Sequence, residues 1–220
     1  IQALDYAAQL AFKENKVRNH LLRIGGFSNE LLDIVMEPIV GMEEPFHYRN
    51  KAQFPIGTGK DGKPVTGFYA GRTHTIIENT DCALGVAENK EILECILKYM
   101  EEEHVSAYNE ETGKGLVRHV LIRKGFASGQ IMVCLVMNGK KMADGKCLPK
   151  EDKLIEELIK ISGMTSISVS INREKTNVIM GKEVHTLWGS DTIEDSIGIR
   201  EGEDFRKTDK AVSFRISPLS

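Results

Sequence analysis

The sequence predicts an α+β fold, an antiparallel sheet with helices on one face, built as two ββαβ-like halves behind an N-terminal amphipathic helix. Three observations carry this reading. Strand-like segments come in pairs, followed by one helix and another strand, and that order occurs twice. Each helical segment shows an apolar stripe spaced three or four residues apart. The stretch Ser166–Asn172 alternates polar and apolar at every step, as a half-buried strand must. A chain of 220 residues is long enough to bury a core as one large domain or two small ones.

The elements follow in order. Tyr6–Arg23 reads as a helix with Leu10, Val17, Leu21 and Ile24 on its stripe, stopped by Gly25-Gly26. Leu31–Met36 is a short apolar piece leading to Pro38 and Pro45. Tyr48–Ile56, Val65–Ala70 and Thr73–Glu78 are β-branched or aromatic runs separated by glycine-rich turns, and read as strands. Ala83–Glu103 is a helix with Ile92, Leu93, Ile96, Leu97 and Met100 inward. Leu116–Arg123 and Gln130–Met137 are strands joined by a Lys124–Gly129 turn. Pro149 opens a third helix, with Leu154, Ile155, Leu158 and Ile159 inward. Ser166–Asn172, Val178–Met180, Val184–Trp188 and Val212–Ile216 complete the strands. Residues 1–24 read as the N-terminal helical segment and 25–216 as the main α+β domain.

Charge and cysteines narrow the function classes. The net charge of −3 does not mark a nucleic-acid binder. It is unevenly spread: Arg49, Lys51, Lys60, Lys63 and Arg72 stand against Asp61 alone between Phe46 and His74, while Glu88–Glu111 is strongly acidic. No apolar run reaches the ~18 residues a spanning helix needs, so no membrane partner is expected. Four cysteines without framework spacing fit a reducing cytoplasm. Cys95 and Cys134 read as core, and Cys147 as a loop thiol open to solvent. Cys82, between a strand end and a helix start, sits where a thiolate is favoured. No Cys-x-x-Cys occurs, so no metal site closes within this sequence. The string Gly57-Thr58-Gly59-Lys60-Asp61-Gly62-Lys63 matches two phosphate-loop patterns, but Pro64 and a strand follow where a helix is required, so it reads as a hairpin turn. The six histidines show no metal or triad spacing.

Five strings in order carry a resemblance. They are Tyr48–Pro55 (YRNKAQFP), Gly67–His74 (GFYAGRTH), Asp81-Cys82, Thr176–Gly181 (TNVIMG) and Phe214–Ser220 (FRISPLS). Together they resemble the bacterial RNA (uracil-5-)-methyltransferases, the 23S rRNA branch most closely. The resemblance implies that this is the central domain of a longer enzyme. Ile1-Gln2-Ala3, with no initiator Met, would then follow a cysteine trio, and Ser217–Ser220 would open the methyltransferase domain. It implies transfer of a methyl group from S-adenosylmethionine to C5 of a uridine, by a cysteine thiolate adding at C6 and a base removing the C5 proton, both outside this segment. No catalytic residue is expected within it, and alone it is expected to be inactive. Cys82 would be the fourth ligand of a [4Fe–4S] cluster in the whole enzyme, with no cofactor held by this segment alone. RNA, 23S rRNA in particular, would be the partner, faced by Arg49, Lys51, Arg72 and His74, and the protein would be a cytoplasmic monomer. Two alternatives stay open: a binding-only ferredoxin-like RNA module, and a small hydrolase using Cys82 or Cys147 with a histidine.

Overall fold

The computed structural model describes residues 3–176, 178–202 and 206–220, so Ile1, Gln2 and Asn177 of the strings above lie outside it. The chain divides into two compact units, Ile1–Phe46 and His47–Ser220. The first unit thus runs past the glycine pair at which the sequence reading divides the chain.

In the first unit, α1 (Tyr6–Arg23) starts where the Asp5 carboxylate accepts from the Ala8 N–H at 2.9 Å. The Ser28 hydroxyl does the same for α2 (Asn29–Val35), accepting from Leu31 N at 3.2 Å. Arg18 Nη2 bonds Asp33 Oδ1 at 2.5 Å, and the Tyr6 hydroxyl accepts from Met42 N at 2.6 Å. The α1 stripe is not a core: no residue of that helix is buried, and Val17 and Ile24 are exposed.

The second unit holds β1 (Lys51–Thr58), β2 (Pro64–Tyr69), β3 (Ile76–Glu78), α3 (Glu88–Glu102), β4 (Val117–Lys124), β5 (Ile131–Met137), α4 (Glu151–Leu158), β6 (Met164–Ile171), β7 (Glu183–Gly189), β8 (Ile193–Glu201) and β9 (Arg206–Ile216). The first seven strands form one sheet in the order β3-β2-β1-β4-β5-β6-β7, and β8-β9 is a separate antiparallel ribbon. The sheet is not wholly antiparallel, because β5 and β6 run parallel. Here α4 carries the chain back along the sheet, so β6 enters in the direction of β5, as a crossover connection requires. The glycine-rich string is the β1–β2 turn, with Gly59 N donating to Lys63 O at 2.8 Å.

Both α3 and α4 pack on one face of the sheet. Ile92, Leu93, Ile96 and Met100 of α3 and Leu154 and Leu158 of α4 share a core with Phe54, Ile56, Val120, Ile122, Val133, Leu135, Ile167 and Val169. Every residue of β5 is buried, so this inner strand is covered on both faces. On the opposite face Met132 packs with Ile193 and Ile216, bringing the β8-β9 ribbon onto the sheet. Asp195 fixes this placement: its buried carboxylate accepts from the N–H groups of Phe126, Ala127 and Ser128 at 3.0, 2.9 and 3.1 Å.

Three local expectations are corrected. Val178–Met180 is a loop, because the Asn172 side-chain amide donates to the Val178 and Ile179 carbonyls at 2.7 and 2.9 Å in place of a strand partner. Cys147 is buried in the main core beside Leu148, where burial pushes its thiol pKa up, so it is not an open loop thiol. The strand β8 was not expected, since Glu194, Asp195 and Ser196 interrupt its apolar run.

Candidate nucleic-acid interface

One cavity of the second unit is built on an irregularity in β4. Val117-Arg118-His119-Val120 would send Arg118 and His119 to opposite faces of a regular strand. The β4–β5 register instead shifts between Val117, opposite Met137, and His119, opposite Val136. Arg118 is the extra residue of a bulge, a device that re-aims side chains. Both Arg118 and His119 consequently line one cavity of about 490 Å³.

A second wall comes from the segment before β4. Gly115 has φ +99°, and a Cβ there would stand 1.9 Å from the Ala107 carbonyl oxygen. Only glycine lets residues 106–108 run beside the start of β4, where Tyr108 N donates to Val117 O at 2.8 Å. Tyr108 and Glu110 reach the cavity this way. The third wall is the β2–β3 turn. Ala70 and Thr75 close it through Ala70 N to Thr75 O at 2.8 Å, and Arg72 occupies the left-handed region at φ 62°. Tyr69 and His74, on either side of that turn, pack with ring centroids 5.2 Å apart and the rings tilted at 59°. Loop residues Lys175, Thr176, Val178 and Ile179 complete the lining.

The polar groups are arranged unequally. Arg118 Nη1 donates to the Asn172 and Glu174 carbonyls, both at 2.9 Å, and its guanidinium lies 4.6 Å over the Tyr108 ring. Its Nε–H has no partner, and neither has His119 Nδ1, although Arg118 is 5% and His119 6% exposed. Burial first, and the Arg118 charge second, push the His119 pKa down to about 4, so the ring is neutral at pH 7. A neutral imidazole offers one donor and one acceptor. Burial and then Glu110 push the Tyr69 pKa up to about 12, keeping the phenol protonated. Its hydroxyl donates to Glu110 Oε1 at 3.4 Å, and His74 Nδ1 stands 2.5 Å from Glu110 Oε2. A wider cavity of about 750 Å³ shares Tyr69, His74, Tyr108 and Glu110, and continues toward Lys60 and Asp61 of the β1–β2 turn.

Of the residues read from sequence, His74 lines this cavity and Arg72 sits in the turn beside it. Arg49 and Lys51 lie elsewhere. Arg49 N donates to Leu84 O at 2.9 Å, and Lys51 faces Arg123 across β1 and β4 and donates to Ser220 O at 3.4 Å. All four are exposed. Sequence reading passed over Tyr108, Glu110, Arg118, His119 and Lys175. The available clue was a pair of polar residues inside an otherwise apolar strand.

Cys82 lies in the connection between β3 and α3, partly exposed, with its carbonyl accepting from Gly85 N at 2.9 Å. Among the described residues no three His, Cys, Asp or Glu side chains come together as a metal-binding group. One thiolate does not fit a four-iron cluster, and no step here passes through one. Nor is a strand-to-helix glycine loop formed by the Gly57–Gly62 string, so it makes no nucleotide cradle. No helix among the described residues is long and apolar enough to cross a membrane.

No protein-family model matches the chain. A Clostridium tetani protein named an uncharacterized RNA methyltransferase is 42% identical over 221 residues, covering 100% of this chain and 43% of that protein. A Clostridium acetobutylicum protein of the same description is 42% identical over 199 residues, covering 90% and 41%. Among solved structures, the Pyrococcus abyssi tRNA (uracil-54, C5)-methyltransferase in complex with S-adenosyl-L-homocysteine matches with a TM-score of 0.66 and 25% identity, over 88% of this chain and 41% of that one. The chain therefore spans about two fifths of the length of the curated relatives it matches, and along its own length it is similar to proteins named RNA methyltransferases.

Proposed function

We propose that this chain is the RNA-holding part of an S-adenosylmethionine-dependent methyltransferase that forms 5-methyluridine in RNA, with 23S rRNA as the substrate class. The observation that carries the RNA role is the cavity of clustered aromatics and unpartnered buried polar groups between β4 and the β2–β3 turn. Such a site suits unpaired nucleic acid, which is held by stacking and by contacts to base edges. Similarity to methyltransferases over nearly the whole chain supports the enzymatic parent. The groups that perform methyl transfer are assigned to the remaining length of such a parent. This part contributes no catalytic residue and holds an RNA loop so that the target base is presented.

Arg49, Lys51, Arg72 and His74 are proposed as contacts to RNA. Arginine and lysine neutralise phosphates and release counterions, which makes binding salt-dependent. Replacing Arg49, Lys51 and Arg72 singly with Ala is expected to weaken RNA binding and to flatten its dependence on salt. The slope of log K against log salt should fall by about one for each phosphate that is no longer neutralised. Unchanged affinity and slope in all three variants, measured by fluorescence anisotropy with a folded rRNA hairpin, would remove these residues from the interface. Thermal unfolding of the same variants separates RNA contact from stability, since an exposed ion pair is worth ~1 kcal/mol or less.

A further inference from the structure

The cavity between β4 and the β2–β3 turn has features that general affinity for a polyanion does not require. Its floor carries two buried polar groups with no protein partner, Arg118 Nε–H and His119 Nδ1. Leaving such groups unsatisfied costs free energy that a ligand would recover. Its wall is aromatic, with Tyr69 tilted on His74 and edge-on to His119 at 6.5 Å. Its mouth carries a carboxylate, Glu110, held by Tyr69 and His74. A phosphate placed against Glu110 would be repelled by that charge, whereas a neutral ring would not be, although Arg118 and Lys175 also line the cavity. The volume, about 490 Å³, falls within the range of small-ligand pockets.

We propose that this cavity holds one unstacked nucleobase of the bound RNA, a base bearing a ring carbonyl, with Arg118 Nε–H donating to that oxygen and the His119 ring pairing with the neighbouring edge. Tyr69 supplies the stacking face. The base is distinct from the one that is methylated, since the reading above assigns methyl transfer to the rest of the parent. Its capture would pin the register of the RNA on the protein. The guanidinium is permanently charged and donates only, so uracil suits it better than adenine, whose edge acceptors are ring nitrogens alone. The adjoining cavity toward Lys60 gives the backbone a continuation from the pinned base. The inference rests on the RNA-binding reading above and adds a base-specific subsite to it.

The test uses the chain of 220 residues and three labelled nine-nucleotide probes: oligouridylate, oligoadenylate and a wholly abasic ribose-phosphate strand. Anisotropy at low salt should show oligouridylate bound about ten-fold more tightly than the abasic strand, the scale of one stacked base, and more tightly than oligoadenylate. Tyr69→Leu and His119→Phe should each lose that preference, binding oligouridylate no more tightly than the abasic strand. Tyr69→Phe keeps the ring and should keep the preference, which separates stacking from mere disruption of the turn. Circular dichroism confirms that each variant is folded. If oligouridylate and the abasic strand bind equally, or if the preference survives both Tyr69→Leu and His119→Phe, the base pocket is overturned while RNA binding stands. If none of the three probes binds, the RNA-holding role itself fails, and the pocket with it.

Discussion

At the scale of single residues, His119 ties stability to pH. Its ordinary pKa is 6.5, and burial with Arg118 beside it lowers this to about 4 in the folded chain. Between those values the unfolded chain takes up a proton at this ring and the folded chain does not. The stability is therefore fully present above pH 6.5 and is lost as the pH falls toward 4. The loss amounts to roughly 3 kcal/mol if the whole difference is expressed. Urea unfolding at a series of pH values should show a shallower acid decline for His119→Asn than for the parent chain. An identical slope in both would mean that another group titrates there. Arg72 and His74, read from sequence, stand in and beside the β2–β3 turn, and a basic cluster beside a glycine is visible without knowing a register. Arg118 and His119 were hidden by their setting: six residues of Val117–Ile122 are buried, and polar members of such a run look like accidents until the register is known.

At the scale of elements, the most informative device is the Asp195 carboxylate on the β4–β5 turn. Three N–H groups of that turn point at one side chain carried by the β8-β9 ribbon. Asp195→Ala leaves these donors without their acceptor and should cost roughly 2–3 kcal/mol of unfolding free energy. Asp195→Asn, which keeps one acceptor oxygen and loses the charge, should fall between. A loss below about 0.5 kcal/mol in urea titration, the range of an ordinary surface change, would mean that the ribbon is held by Met132, Ile193 and Ile216 alone. The helices and hairpins were readable because their spacing and turn chemistry are local. The stripe of α3, the turn at Lys124–Gly129 and the rejected phosphate loop all follow from neighbours in sequence, whereas on α4 only Leu154 and Leu158 are buried and Ile159, read as inward, is 41% exposed. The parallel β5–β6 pairing, the bulge at Arg118 and the strand β8 were not readable, since each depends on a partner distant in the chain. Val178–Met180 shows the same limit: its composition suits a strand, but Asn172 takes its carbonyls first.

At the scale of the whole molecule, the uneven charge is partly consumed within the protein. Lys63 of the basic stretch bonds Glu101 of α3 at 2.6 Å, and Lys124 pairs with Glu88. Such exposed or half-exposed pairs stabilise little, and each sets a carboxylate beside a lysine that would face a polyanion. Of the set proposed for RNA, Arg72 and His74 stand at the β2–β3 turn, and with a net charge of −3 any such surface is a local feature. The order of the sheet has a consequence of another kind. β4, β5 and β6 lie between neighbours on both sides, whereas β7 ends one side of the sheet and β3, three residues long, ends the other. Opening of the backbone to solvent should therefore spread inward from two unequal borders. In deuterium exchange, the amides of β3 and the alternate, outward-directed amides of β7 should label first. Those of β5 should label last, at the rate of global unfolding, so that one inner strand serves as the clock for the stability of the second unit.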